Sequence, residues 1–85
     1  MTDKPARADG IEINPVADGY VVYDPYAERV HYLNHTAAVI LELCNSDNTV
    51  ADIVRLVTTA FGLAEPAETE VQQCLAQFRD EGLIV

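Results

Sequence analysis

The chain has 85 residues, 49% of them hydrophobic, and five Lys and Arg stand against fourteen Asp and Glu for a net charge of −9. One small domain with one modest core fits that length, since such a chain buries only about 60 to 65% of the surface it exposes when unfolded. Nucleic-acid binders displace counterions with Lys and Arg, so this balance disfavours DNA, RNA and anionic membranes and suits docking against basic patches on protein or peptide partners.

Residues 1–10 are polar, carry Pro5 and Gly10, and show no periodicity, which predicts a disordered tail ahead of a domain over residues 11–85. Ile11-Glu12-Ile13-Asn14 alternates apolar and polar, a short strand expected to stop at Pro15. Asp18-Gly19 is a turn signal, and Tyr20 to Tyr23 is wholly β-branched and aromatic, suited to a pleated surface. Asp24-Pro25 opens a hairpin loop, and Arg29 to Leu33 returns as a third strand. The expected sheet is an antiparallel meander.

The period changes at Asn34, a preferred helix N-cap. From Ala37 to Cys44 only Glu42 is polar, so the first helix should be central and buried. Thr49 and Asp52 form a short capping box for a second helix, whose apolar stripe is Ile53, Leu56, Val57, Ala60 and Phe61, with Gly62-Leu63 as its stop. Glu65-Pro66 is expected to open a third helix with Pro at its first position. Val71, Cys74, Leu75 and Phe78 form its apolar face, and Gly82-Leu83 repeats the stop. Three strands followed by three helices make an α+β domain with the shape of a winged helix-turn-helix.

Little catalytic chemistry can be assembled from these residues. His31 and His35 fall on a strand and in a helical turn, and Cys44 and Cys74 lack Cys-x-x-Cys spacing, so neither a metal nor another cofactor is expected. Both cysteines fall in apolar stretches and are read as free thiols serving as small hydrophobes. Ser46, the sole serine, sits in a loop without a Gly-x-Ser-x-Gly frame. An acyl or peptidyl carrier would be similarly small and acidic, but Asn45-Ser46-Asp47 is not its Asp-Ser-Leu site and the strand-rich first third does not suit an all-helical bundle. The third strand closes the meander and is therefore an edge, with no Pro and one charge, Arg29, to guard it. Such an edge can accept an extended peptide as an added strand.

Val21-Val22-Tyr23-Asp24-Pro25, then Val30-His31-Tyr32-Leu33-Asn34-His35-Thr36-Ala37-Ala38, then Ile40-Leu41-Glu42-Leu43-Cys44 resembles the PqqD family. Thr49 to Val54 is similar to that family's second-helix opening and Leu75 to Leu83 to its ending, so the resemblance covers roughly residues 11–85. The chain departs from many members at Leu41, where they carry Trp, and at Asn45-Ser46, where they carry Asp-Gly. The resemblance implies a non-catalytic recognition element for ribosomally made, post-translationally modified peptides. In that family the precursor's leader adds a strand to the third strand, in a groove walled by the third helix, and is presented to a separate modifying enzyme, often a radical S-adenosylmethionine enzyme.

Carried onto this chain, Arg29, Val30, His31, Tyr32 and Leu33 would supply the backbone ladder, and Val71, Cys74, Leu75 and Phe78 the apolar wall. Pyrroloquinoline quinone, lasso peptides and thioether-bridged peptides are all made with such domains. A winged-helix DNA-binding regulator is the rival reading, weakened by charge; a domain detached from a larger modifying enzyme is the third. No apolar run approaches the ~20 residues of a membrane span, and residues 1–5 show no secretory signal, so the expected location is cytoplasmic. A monomer is expected, with pairing through the open edge as the route to a dimer.

Overall fold

Alternating side chains and two tight turns build the first half of the molecule. A computed structural model describes residues 4–85, in the order β1 (Glu12–Val16), β2 (Gly19–Asp24), β3 (Arg29–Leu33), α1 (His35–Leu43), α2 (Val50–Ala60) and α3 (Glu68–Asp80). The sheet runs β1-β2-β3, both pairs antiparallel, with Val16 opposite Gly19 at one hairpin and Asp24 opposite Arg29 at the other. Asp24 is buried, and its side-chain oxygen accepts from the backbone N–H of Tyr26 and Ala27, which shapes the second loop. Gly19 has φ +151°, and a Cβ there would run into the Leu33 carbonyl oxygen, so the close approach of β3 demands glycine.

β1 does not stop at Pro15, as the sequence led one to expect, but runs through it to Val16. An edge strand tolerates proline wherever the missing N–H would have faced away from the neighbouring strand.

Each helix is set by local chemistry at its ends. The Asn34 side chain accepts from the Ala37 N–H at 2.8 Å to cap α1, and Thr49 and Asp52 exchange both bonds of a capping box on α2. Gly62 and Gly82, at φ +60° and +74°, end α2 and α3 in left-handed caps, each closed by the following leucine's N–H. α3 begins at Glu68 rather than at Pro66: its cap, Ala67, is buried, and the Ala67 N–H is taken by the Thr58 hydroxyl of α2.

α1 packs against β2, β3, α2 and α3, which is why it is apolar nearly all round. The core comprises Val22, Ile40, Leu41, Cys44, Ile53, Val57, Ala67, Val71, Leu75, Phe78, Leu83 and Ile84. On α2 the inward stripe is Val50, Ile53, Val54 and Val57, while Leu56, Ala60 and Phe61 face solvent. The expected stripe was therefore rotated, because its positions fit a helical period but α1 and α3 cover only one side.

Residues 4–10 correct the expected tail; residues 1–3 lie outside the described residues. Ala6 bridges Asn45 and Arg7 bridges Ile84. The Arg7 and Ala8 N–H groups donate to the Cys44 and Leu83 carbonyls, Val85 donates to Ala6, and Pro5 is buried. This strap ties the α1–α2 loop to the C-terminal segment, so the folded unit begins ahead of residue 11.

Candidate functional site

Pro15 reveals which backbone groups of β3 are free. In an antiparallel ladder, opposed residues alternate between pairs that exchange both hydrogen bonds and pairs that exchange none. Proline has no N–H to exchange, so the Pro15–Tyr20 pair is of the second kind, and Tyr20, Val22 and Asp24 turn their polar backbone groups toward β3 instead. Their opposites there are Leu33, His31 and Arg29. The N–H and C=O groups of Val30 and Tyr32 consequently point outward from the sheet's edge.

Side-chain directions along β3 follow the same alternation. His31 faces the helices, since its opposite, Val22, lies in the core. Leu33 is on the same face and packs against the core, and Arg29 is exposed at the hairpin end. Val30 and Tyr32 turn to the outer face, 55% and 80% exposed.

The expected apolar wall needs correction. Val71, Leu75 and Phe78 are core residues, exposed by 2% or less, so they cannot line a groove. Of the four, only Cys74 is partly exposed. The stripe of α3 that meets the β3 side is instead Glu70, Gln73, Cys74, Gln77 and Glu81, spaced at i, i+3, i+4, i+7 and i+11 from the sequence. Two observations place it there. Asn34 and Thr36, which follow β3, enclose with Glu70, Gln73, Cys74 and Gln77 a cleft of about 300 Å³. Further along, Glu81 Oε2 pairs with His31 Nδ1 at 2.5 Å, and Glu81 Oε1 accepts from Gln77 Nε2 at 2.8 Å. α3 is thereby fastened to the middle of β3, while among the described residues the buried His31 Nε2 has no hydrogen-bond partner.

Partial burial, and then the Glu70 carboxylate beside it, push the Cys74 thiol above its ordinary pKa. Cys44 is fully buried and donates its S–H to the Ile40 carbonyl, and burial pushes its pKa up to about 11 against the lowering influence of Arg7 and Arg79. Both cysteines are free, and raised pKa values are the reverse of what a nucleophile requires. Among the described residues no group of three or more His, Cys, Asp or Glu is placed to hold a metal ion, and no helix is long and apolar enough to cross a membrane.

Sequence reasoning missed Asn34, Thr36, Glu70, Gln73, Gln77 and Glu81 as site residues. Their only advance signal was position: four of them flank the apolar stripe of α3 on the side marked by Cys74, its one member that is not fully buried.

Comparison with known proteins agrees with this architecture. The family described as Coenzyme PQQ synthesis protein D (PqqD) matches residues 19–84, from β2 to the C-terminal segment. A solved structure described as lasso peptide synthetase B1 complexed with the leader peptide has the same fold, with a TM-score of 0.80 and 19% identity, covering 98% of this chain and 99% of that one. No curated protein matches.

Proposed function

The chain belongs to the PqqD family, and from that premise we propose that it binds the leader segment of a ribosomally made precursor peptide as an added strand on β3, and presents it to a separate modifying enzyme. The observation that carries this reading is the open edge: among the described residues no strand lies beside the outward N–H and C=O groups of Val30 and Tyr32, and β3 holds no proline to blunt them. That a protein of the same fold is described with a leader peptide bound supports a peptide as the ligand.

The domain contributes recognition rather than chemistry. Cys44 is buried, Cys74 is partly buried, and both thiols are shifted upward, which supports leaving the bond-making steps to the partner, often a radical S-adenosylmethionine enzyme in pathways of this kind. A newly made precursor as the ligand supports a cytoplasmic location. Mutual repulsion of copies each carrying −9 supports a monomer with its edge free. The DNA-binding alternative gains nothing from the structure, because Arg55 of α2 is paired with Asp52 at 3.3 Å.

Fluorescence anisotropy of a labelled synthetic leader, taken from a short precursor reading frame beside this gene, tests the proposal. Saturable binding that Tyr32→Pro weakens about tenfold or more is expected. Binding indifferent to Tyr32→Pro would refute docking on β3, and precursor modified by this protein alone would refute the division of labour.

A further inference from the structure

A strand added to β3 has two faces, and this chain dresses them differently. Positions opposite Val30 and Tyr32 would lie on the outer face beside those two exposed side chains. Tyr23 and Val21, their register partners on β2, continue the same apolar shelf behind them. The intervening positions would turn toward α3, whose facing stripe shows carboxylates and amides with one partly buried thiol among them.

Glu81 is already engaged by His31 and Gln77. Glu70 is exposed, and among the described residues its carboxylate has no hydrogen-bond or ion-pair partner. It lines the cleft together with Cys74, one helical turn further along α3.

Resting on the strand-addition reading, we infer that the segment this site selects is an amphipathic strand, apolar or aromatic at alternate positions and carrying Lys or Arg at the positions between. Charge complementarity acts at two ranges. The net charge of −9 draws basic peptides at a distance, and a Lys or Arg past the residue opposite Tyr32 would meet Glu70 in a cleft of about 300 Å³. A leader with Asp or Glu at those positions would face like charge along α3 and be rejected.

The test is a display selection from a random dodecapeptide library against the full chain, repeated with Glu70→Lys and Glu70→Gln. Enriched peptides are expected to alternate apolar residues with Lys or Arg. Glu70→Lys should replace Lys or Arg by Asp or Glu at the one position that meets residue 70, while the remaining negative charge keeps its pull on basic residues elsewhere in the peptide. If that reversal disturbs the first turn of α3, Glu70→Gln should still keep the alternation and weaken a Lys-bearing binder by up to about fivefold, the size of an exposed ion pair.

Peptides that Tyr32→Pro loses, yet which show no alternation or no response to Glu70, would overturn the inference while sparing the function. Failure of every peptide to bind, or binding untouched by Tyr32→Pro, would overturn both. A wild-type dimer that no selected peptide dissociates would show that a second copy's β3 fills the groove, and would also overturn the inference.

Discussion

The two edges of the sheet are of equal length and opposite character. β1 and β3 each have five residues and each flank β2. On β1 the outward backbone positions are Ile13 and Pro15, and the proline removes one of the donors an incoming strand would need. On β3 the outward positions are Val30 and Tyr32, both with N–H and C=O intact, beside a helix that supplies a second wall. Strand edges invite unwanted pairing and natural sheets blunt them. A chain that blunts one edge and leaves the other open and fastened to α3 fits the docking proposed for β3 and not for β1.

The largest expected effect sharpens this contrast within β3. His31 belongs to the set bonded to β2, and its side chain holds Glu81. His31→Pro loses the ladder bond, leaves the Val22 carbonyl unpaired beneath it and breaks the link to α3, a loss of about 3 kcal/mol or more. The domain should unfold or melt far below the wild type by circular dichroism. Tyr32→Pro, one residue on, should keep a near-native spectrum yet lose about tenfold or more in leader affinity, since a carbonyl of the bound peptide is left unpaired. Reversal of the two phenotypes would show that the outward set is misassigned.

A second test asks whether the core beneath both edges behaves as one unit. The Cys44 thiol has a pKa raised to about 11 by burial, above its ordinary 9.0. The folded chain therefore favours the neutral thiol, and this contribution is fully present below about pH 9. As pH rises from 9 toward 11 the unfolded chain ionises first, and stability should fall by about 1.4 kcal/mol per unit, more steeply than in Cys44→Ala. Denaturant titrations across that range measure the slope; both edges should be lost in the same transition.

The link between edge and helix is a smaller matter. Glu81→Gln keeps a hydrogen-bonding group near His31 and Gln77 but removes the charge. A loss of about 1 kcal/mol is expected for a partly buried charge-assisted bond. If β3 and α3 act together as groove walls, leader affinity should fall beyond what lost stability explains. Unchanged affinity would mean that the edge works without its helical wall.

What could be read in advance was local. Asn34, the Thr49–Asp52 box and the glycine caps at Gly62 and Gly82 are legible because one side chain, or its absence, settles the conformation of its own turn. The limits of β3 were legible because Asp24-Pro25 and Asn34 bracket it. The strap over residues 4–10 was not, since apart from Arg7 Nη1, which donates to the Glu42 carbonyl at 2.8 Å, its bonds are backbone to backbone, with Cys44, Ser46, Leu83 and Val85, and leave almost no side-chain pattern. The α3 wall was misread for a related reason: periodicity identifies the apolar stripe Val71, Leu75, Phe78, but an apolar stripe marks the core rather than the groove. The expected meander already makes β1 an edge, where proline is tolerated at an outward position, but only the register, with Pro15 opposite Tyr20, shows that the strand runs through it.

The smallest expected effect bears directly on the contrast between the edges. Pro15→Thr restores an outward N–H to β1 without touching a bonded pair, because the Pro15–Tyr20 pair exchanges no hydrogen bonds. The variant gives up the restriction that proline places on the unfolded chain, at most about 1 kcal/mol, and recovers part of it through a residue better suited to strands. Folding should hence be nearly unchanged. Association should not be: with Ile13 and residue 15 both able to donate, β1 becomes a second open edge, and Val16 beside it is already exposed. Sedimentation velocity should detect concentration-dependent self-association in Pro15→Thr under conditions where the wild type stays monomeric. Leader binding should be unaltered, because the α3 stripe borders β3. If the variant stays as monomeric as the wild type, Pro15 is not what keeps β1 closed, and the exposed Glu12 at its start is the remaining guard.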